Sequence, residues 1–248
     1  MEYFGGIRYC FDKNSIHAKL DELVCSSKKG YVCVADGVTL ALNSKDPDIR
    51  KVLADSAITL CDSGWVPIYL KLIYHIKRQQ YSGSELLEYL VLNTSYRMMF
   101  LGSTQETLDH LKQNLSLKNQ KISSMTFDML PVKKVTEFNY EEIAGKISED
   151  NPDIIFVSLG LPKQEFFMYN LAPFLNRGVL IGVGAAFKFH SGLTNQKRAP
   201  GWMIKAKMEW VYRIFKEPQK QLKRCSLIFY TMPGLFIKEL IKSKKSNP

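Results

Sequence analysis

The sequence predicts an α/β protein with a doubly wound, mostly parallel, Rossmann-like sheet and a basic, amphipathic helical C-terminal appendage. Short apolar or β-branched runs alternate with longer segments of helical periodicity, and this alternation is typical of parallel strands joined by helical crossovers. Charge marks the appendage. Residues 197–248 hold 13 Lys and Arg against 3 Asp and Glu, whereas residues 1–196 hold 21 of each, so the appendage carries the whole formal charge of +10.

Six runs are predicted to be strands, and the periodic segments between them are predicted to be helices. The predicted strands are Tyr31–Ala35, Ala57–Cys61, Arg97–Gly102, Lys121–Phe127, Asp153–Gly160 and Val179–Gly184. The predicted helices are Ile16–Cys25, Asp48–Asp55, Val66–Lys77, Ser84–Leu92, Gln105–Leu115, Tyr140–Glu149 and Lys163–Leu175. Ligands of such sheets bind beyond the carboxyl ends of the strands, so the residues that follow each strand are candidates for function.

The change in charge near Lys197–Pro200 predicts a division into an α/β domain, residues 1–196, and the appendage, residues 197–248. Within the appendage, Pro218 and Pro233 are expected to separate short helices. Its bases alternate with large apolar side chains, a pattern that indicates an anionic partner. Membrane headgroups, ligand phosphates and nucleic acid all fit this description.

Composition argues against several classes of protein. Five widely spaced cysteines without a CxxC pair, and no N-terminal signal peptide, predict a reduced, cytoplasmic protein. No apolar run approaches the ~18 residues that cross a bilayer, so only attachment to a membrane surface is expected. The sequence has no GxGxxG, Walker or G-x-S-x-G motif, and its four histidines lack ligand spacing. No metal or cofactor is therefore predicted.

Two carboxylates follow strands directly. Asp36 comes after the first predicted strand and Asp62 after the second, and each precedes a polar or helical segment. Two interpretations stay open for each residue: an N-cap of the next helix, or a general base above the ligand crevice. The run Asp46-Pro47-Asp48 has the D-x-D spelling of a metal–nucleotide clamp, but its proline favours the start of a helix.

Three further strand ends contain glycine. Gly102 and Ser103 precede Glu106, which predicts a Ser-x-x-Glu capping box at a helix N-terminus suited to a phosphate. Gln164 and Glu165 open the helix after Ser158-Leu159-Gly160-Leu161-Pro162, either as site residues or as solvated charges of a first turn. Gly184 ends a Gly-Val-Gly run that lets a ligand approach the backbone.

These strand ends form an ordered set that resembles the WecG/TagA/CpsF family of glycosyltransferases over about residues 30–225. The resemblance rests on Asp62-Ser63 and Phe100-Leu101-Gly102 and on four longer motifs: G-x-P-K-Q-E at 160–165, V-G-x-A-F at 183–187, R-A-P at 198–200, and E-W-x-Y-R-x-x-x-E-P at 209–218. Arg198 belongs to the third motif and Arg213 to the fourth.

The resemblance implies an inverting, metal-independent enzyme on the inner face of the cell membrane. Its donor would be a UDP-sugar carrying an N-acetylmannosamine-type sugar or a hexose, and its acceptor a polyprenyl-diphosphate-linked saccharide. Its products would feed teichoic acid, capsule or exopolysaccharide. The implied partners are therefore the donor, the acceptor and an anionic membrane surface, without nucleic acid.

The resemblance also implies roles for individual residues. Asp62 matches the family's base, Gln164 and Glu165 lie in its active site, and Arg213 and Arg224 match arginines that neutralise the donor diphosphate. Asp36 stands where the family has asparagine, which makes it a rival base to Asp62.

Two alternatives remain on sequence grounds: a nucleic-acid-binding protein and a non-catalytic membrane-associated scaffold, each using the basic aromatic appendage. Release of UDP from a UDP-sugar would distinguish the enzyme from both. The identity of the sugar and polymer, and whether the chain forms a homo-oligomer, are left open.

Overall fold

The computed structural model describes residues 2–193, 200, 203, 209–216 and 218–246. Its strands are β1 (Glu2–Phe4), β2 (Ile7–Tyr9), β3 (Lys29–Ala35), β4 (Ile58–Cys61), β5 (Met98–Gly102), β6 (Thr126–Asp128), β7 (Ile154–Ser158) and β8 (Gly178–Gly182). β1 and β2 form a separate antiparallel hairpin. The other six strands form one all-parallel sheet in the order β4-β3-β8-β7-β5-β6, which confirms the predicted fold class.

Helices connect the strands and extend beyond the last one. They are α1 (Lys13–Cys25), α2 (Gly37–Lys45), α3 (Pro47–Ala54), α4 (Trp65–Tyr74), α5 (Gly83–Asn93), α6 (Gln105–Lys118), α7 (Tyr140–Asp150), α8 (Lys163–Leu171), α9 (Ala186–His190), α10 (Glu209–Lys216) and α11 (Pro218–Ser246). Short 3-10 turns lie at Gln120–Ser124, Val135–Glu137 and Ala172–Phe174.

The sheet separates two hydrophobic cores because successive side chains of a strand point to opposite faces. In β3, Tyr31 and Cys33 belong to one core, and Val32 between them belongs to the other. Helices α2, α3, α4, α7 and α8 contribute to the first core, whereas α1, α5, α6 and α9 contribute to the second. Helices thus cover both faces, as a doubly wound sheet requires.

Helix α11 packs outside α2 and α4 on the first face. Its Met232 and Leu235 are buried in the first core, and the Phe236 ring lies 5.0 Å from that of Tyr69 on α4. At the N-terminus of α2, a Cβ added to Gly37 would lie 3.1 Å from Ile228 Cδ1, so the absence of a side chain permits this close approach. The basic helix is therefore docked on the α/β body.

Glu239 fixes the far half of α11. One carboxylate oxygen accepts from the amide of Gly5, in the turn of the hairpin, at 3.1 Å, and the other accepts from the Tyr74 hydroxyl at 2.6 Å. Burial and this bond raise the pKa of Tyr74 to about 12. The carboxylate is itself buried, so its two partners replace water. The division of the chain near Lys197–Pro200 stays a prediction.

The structure corrects three expectations. Most of the predicted strand Lys121–Phe127 is a 3-10 turn, followed by the short β6. Pro233 lies inside α11 and does not end it, because the helix is held by packing on both sides of the proline, at Met232 and Leu235. Helix α2 and the hairpin were not predicted. No helix in the described part of the chain is long and apolar enough to span a membrane.

Candidate active site

The carboxyl edge of the sheet brings the predicted residues together in the order of the strands. Asp62 follows β4, Asp36 follows β3, Gly184 follows β8, Ser158 ends β7, and Gly102 ends β5. Hydrogen bonds join neighbouring strand ends. The Asp62 amide donates to the carbonyl of the residue before Asp36 at 3.0 Å, and the amide after Gly102 donates to the Ser158 carbonyl at 3.2 Å.

Asp36 is both a helix cap and an ion-pair partner. Its Oδ1 accepts from the amides of Val38 and Thr39, each at 2.9 Å, and from the Thr39 hydroxyl at 3.0 Å, which forms a capping box at the start of α2. Its Oδ2 accepts from Arg224 Nη2 of α11 at 2.5 Å. Both carboxylate oxygens are thus engaged, and the N-cap interpretation of Asp36 is confirmed.

Asp62 does not cap the helix that follows it. The N-cap position of α4 is Gly64, without a side-chain cap, and Ser63 Oγ accepts from the Trp65 amide at 3.3 Å. The N-cap interpretation of Asp62 is therefore wrong, because the helix begins two residues later than such a cap requires. Asp62 is half-buried at the sheet edge.

Gln164 is held in one orientation. The Gly184 amide donates to Gln164 Oε1 at 3.0 Å, and since a backbone amide only donates, this contact identifies the side-chain oxygen. Gln164 Nε2 then donates to Glu165 Oε1 at 2.9 Å. The Ser158 hydroxyl donates to the Gly184 carbonyl at 2.7 Å. A chain of hydrogen bonds therefore links β7, β8 and the start of α8.

Glu165 is fully buried, at 0% exposure, and within the described residues its Oε2 has no hydrogen-bond partner. Burial raises the pKa of Glu165 to about 7. The hydrogen bond from Gln164, the backbone amide of Glu165 and the charge of Arg224 oppose this rise, whereas Asp36 adds to it. The alternative of a solvated charge in the first turn of α8 is therefore wrong.

The β5–α6 turn has an unusual backbone. Gly102 has φ +101°, and a Cβ there would lie 2.7 Å from the Ser158 carbonyl oxygen. Ser103 also has a positive φ, 70°, which places it outside the extended region that an N-cap adopts. Thr104 caps α6 instead, accepting from the Thr107 amide at 3.3 Å. The predicted capping box of Ser103 and Glu106 is wrong.

Two predicted cations lie outside this description. Arg198 is not among the described residues, and for Arg213 the structure gives the helix, α10, while its side chain lies outside the described part. The sequence prediction missed Thr39, which donates to Asp36 through its amide and its hydroxyl. The spacing Asp36-x-x-Thr39, a capping-box pattern, would have identified Thr39.

No recognisable metal centre accompanies these residues. Across residues 2–193 and the described parts of α10 and α11, no group of three or more His, Cys, Asp or Glu could hold a metal ion. Asp46 of the D-x-D run caps α3 by accepting from the Asp48 amide at 2.9 Å. The expected helix start at Pro47 is confirmed.

Comparison with known proteins identifies a family that the chain matches. The model of the "Glycosyl transferase WecG/TagA/CpsF family" matches residues 4–246. An N-acetylglucosaminyldiphosphoundecaprenol N-acetyl-beta-D-mannosaminyltransferase of Bacillus subtilis is 30% identical over 194 residues, which cover 77% of this chain and 73% of the relative. A protein with the same name from Bacillus spizizenii is 28% identical over 220 residues, 87% of this chain and 83% of the relative.

We predict that Gly102→Ala destabilises the protein by about 2–4 kcal/mol, since the new Cβ meets a backbone oxygen and alanine resists the positive φ. Gly145→Ala is the matched control. It lies in α7 with open space around the added Cβ, and it should stabilise the protein by about 0.5–1 kcal/mol. Urea unfolding of the two variants measures both effects, and equal midpoints would contradict the strained turn.

Proposed function

The chain belongs to the WecG/TagA/CpsF family of glycosyltransferases, and from this premise we propose that it moves a sugar from a UDP-sugar to a polyprenyl-diphosphate-linked saccharide. The names of the two Bacillus relatives describe an N-acetylglucosaminyl-diphosphoundecaprenol acceptor and an N-acetylmannosaminyl group. An acceptor of this class, and an N-acetylmannosamine-type sugar or a hexose, are therefore proposed here. The product would enter a cell-envelope polymer such as teichoic acid.

The observation that carries the proposal is the Arg224–Asp36 ion pair at 2.5 Å. It brings a guanidinium from the basic helix α11 to the carboxyl edge of the sheet, where ligands of doubly wound sheets bind. A guanidinium binds the oxygens of a diphosphate through two parallel hydrogen bonds. Arg224 would therefore stabilise the UDP leaving group, together with Arg198 and Arg213 from the motifs that resemble the family.

Asp62 is the proposed base. Both oxygens of Asp36 are engaged, by the cap and by Arg224, whereas Asp62 follows β4 at the same edge and the N-cap residue of α4 is Gly64. In the proposed step an acceptor hydroxyl attacks the anomeric carbon and its proton passes to the Asp62 carboxylate. The bond from the anomeric carbon to the diphosphate oxygen breaks, and UDP leaves with the electron pair. Attack opposite the leaving group inverts the anomeric configuration.

Family membership removes the motivation for the nucleic-acid-binding and scaffold alternatives, since neither uses a donor or an acceptor sugar. The basic appendage was the other feature that favoured these two alternatives. We propose instead that the appendage contacts lipid.

We also propose that α11 attaches the enzyme to the inner face of the cell membrane. Its face away from the body exposes Leu222, Phe229, Tyr230, Ile237 and Ile241, beside Lys223, Lys238 and Lys242. Apolar side chains flanked by lysines on one helix face are typical of binding at an anionic interface.

Asp62→Asn should lower turnover by roughly 100-fold or more, because the acceptor hydroxyl loses its proton acceptor. Asp36→Asn, the matched change at the next strand, should lower turnover less, since an asparagine oxygen still caps α2 and only the pairing with Arg224 is lost. The measurement is UDP release and product mass with a panel of UDP-sugars and polyprenyl-diphosphate N-acetylglucosamine. An active Asp62→Asn with an inactive Asp36→Asn would reassign the base, and no release by the wild type would refute the proposed reaction.

Catalysis should continue at full rate in excess EDTA. Asp46 of the D-x-D run is used as a cap, and Arg224 places a cation near the proposed donor site. The same UDP-release assay tests this expectation. Activity lost in EDTA and restored by magnesium or manganese would show that a metal replaces the proposed role of the arginines.

Phe229→Ser with Ile237→Ser should weaken binding to anionic vesicles by about tenfold or more, since two apolar side chains leave the lipid. Val132→Ser is the control, because Val132 is fully exposed and follows β6, at the opposite edge of the sheet from β4. Vesicle cosedimentation at low and high salt measures the binding of the double variant and of the control. Equal binding by the double variant and the control would place the membrane contact elsewhere.

A further inference from the structure

A buried carboxyl lies next to the proposed donor site without touching solvent. Glu165 is 0% exposed, and its Oε1 accepts from Gln164 Nε2 at 2.9 Å. This donor on its own favours the ionised form, but it is a single hydrogen bond, and the other carboxyl oxygen has no hydrogen-bond partner among the described residues. The side chain of Gln164 cannot rotate to donate elsewhere without losing the Gly184 amide.

The charges around Glu165 are few and come from two elements besides its own. In the described residues, Asp36 at the end of β3 and Arg224 of α11 act on Glu165, and Glu165 in turn acts on the thiol of Cys33 in β3. Arg224 is already paired with Asp36 at 2.5 Å. An ionised Glu165 would thus be a second anion near one cation. Its Oε2, which has no partner among the described residues, would be desolvated without compensation.

We propose that Glu165 is a positioning residue that keeps its proton while a UDP-sugar is bound, and that this neutral form supports donor binding. The inference rests on the proposed function, since the diphosphate of the donor is the ligand in question. When Arg224 contacts that diphosphate, the negative charge of the donor offsets the positive charge of the guanidinium. Arg224 then stabilises an ionised Glu165 less than it does before the donor binds. Binding therefore raises the proton affinity of Glu165 further.

The direction of the pH dependence follows from linkage. The pKa of Glu165 is raised to about 7 before the donor binds, so the carboxyl is neutral below this pH and loses its proton above it. If the bound state holds the proton more tightly, binding takes up a proton just above pH 7, and affinity falls as pH rises through that range. The Cys33 thiol does not contribute, because burial raises its pKa well above 9.

The experiment is calorimetric titration with a UDP-sugar, whose diphosphate does not ionise near neutral pH, in two buffers of different ionisation enthalpy. At pH 7.5 the wild type should take up a fraction of a proton, and its affinity should fall several-fold from pH 6.5 to 8.5. Glu165→Gln retains the oxygen that accepts from Gln164 and has no proton to lose. It should bind within a few-fold of the wild-type affinity at pH 6.5, without proton uptake and with a flat pH profile.

Glu141→Gln, an exposed carboxylate of α7, is the matched control and should behave as the wild type. The inference is overturned if Glu165→Gln takes up the same proton, or if it folds with an unchanged Tm but does not bind at any pH. If Glu165→Gln does not fold, the wild type alone decides, since zero uptake and a flat profile contradict the inference. A wild type that binds no UDP-sugar refutes the proposed donor, and the inference with it.

Discussion

The arrangement at the sheet edge depends on one carboxylate with two partners. Asp36 caps α2 through one oxygen and receives Arg224 of α11 through the other. Each side chain of this ion pair is more than a quarter exposed, so the pair contributes little to stability. The apolar contacts of Met232 and Leu235 hold the helix instead. The ion pair determines where a cation stands, and because the cap belongs to the end of β3, that position is tied to the sheet.

Helix α11 has two dissimilar faces, one packed on the body and one exposed. The inner face is largely apolar, with buried Gln221 and Thr231 and with Glu239, whose carboxylate accepts from an amide and a phenol. The outer face combines lysines with aromatic and aliphatic side chains. One rigid helix therefore joins the surface proposed to contact lipid to the arginine proposed to contact the donor. A change at one surface can reach the other without a flexible linker.

Residues next to strands were predictable from sequence because strand ends, glycines and helix starts leave local patterns. Helix α2 was not, since most of its side chains are buried between the sheet and α11, and a helix covered on two sides has no polar stripe to reveal its period. Asp36 and Asp62 looked alike for a related reason. Only the start of each following helix distinguishes a cap from a non-cap, and Gly64 shifts the start of α4. The burial of Glu165 depends on packing between elements that are distant in the chain, so no local sequence pattern predicts it.

The contact between Gly5 and Glu239 joins positions 234 residues apart and brings the two ends of the described chain to one side of the molecule. From Glu239, α11 continues only to Ser246, a rise of about 10 Å. A short linker would therefore join these ends, and the chain could be reopened in an exposed loop such as the one around Val132. In such a circular permutant the basic helix would precede the hairpin in the polypeptide, yet it would meet the same strands. The contacts of the basic helix with the α/β body therefore do not depend on whether the helix comes last or first in the polypeptide.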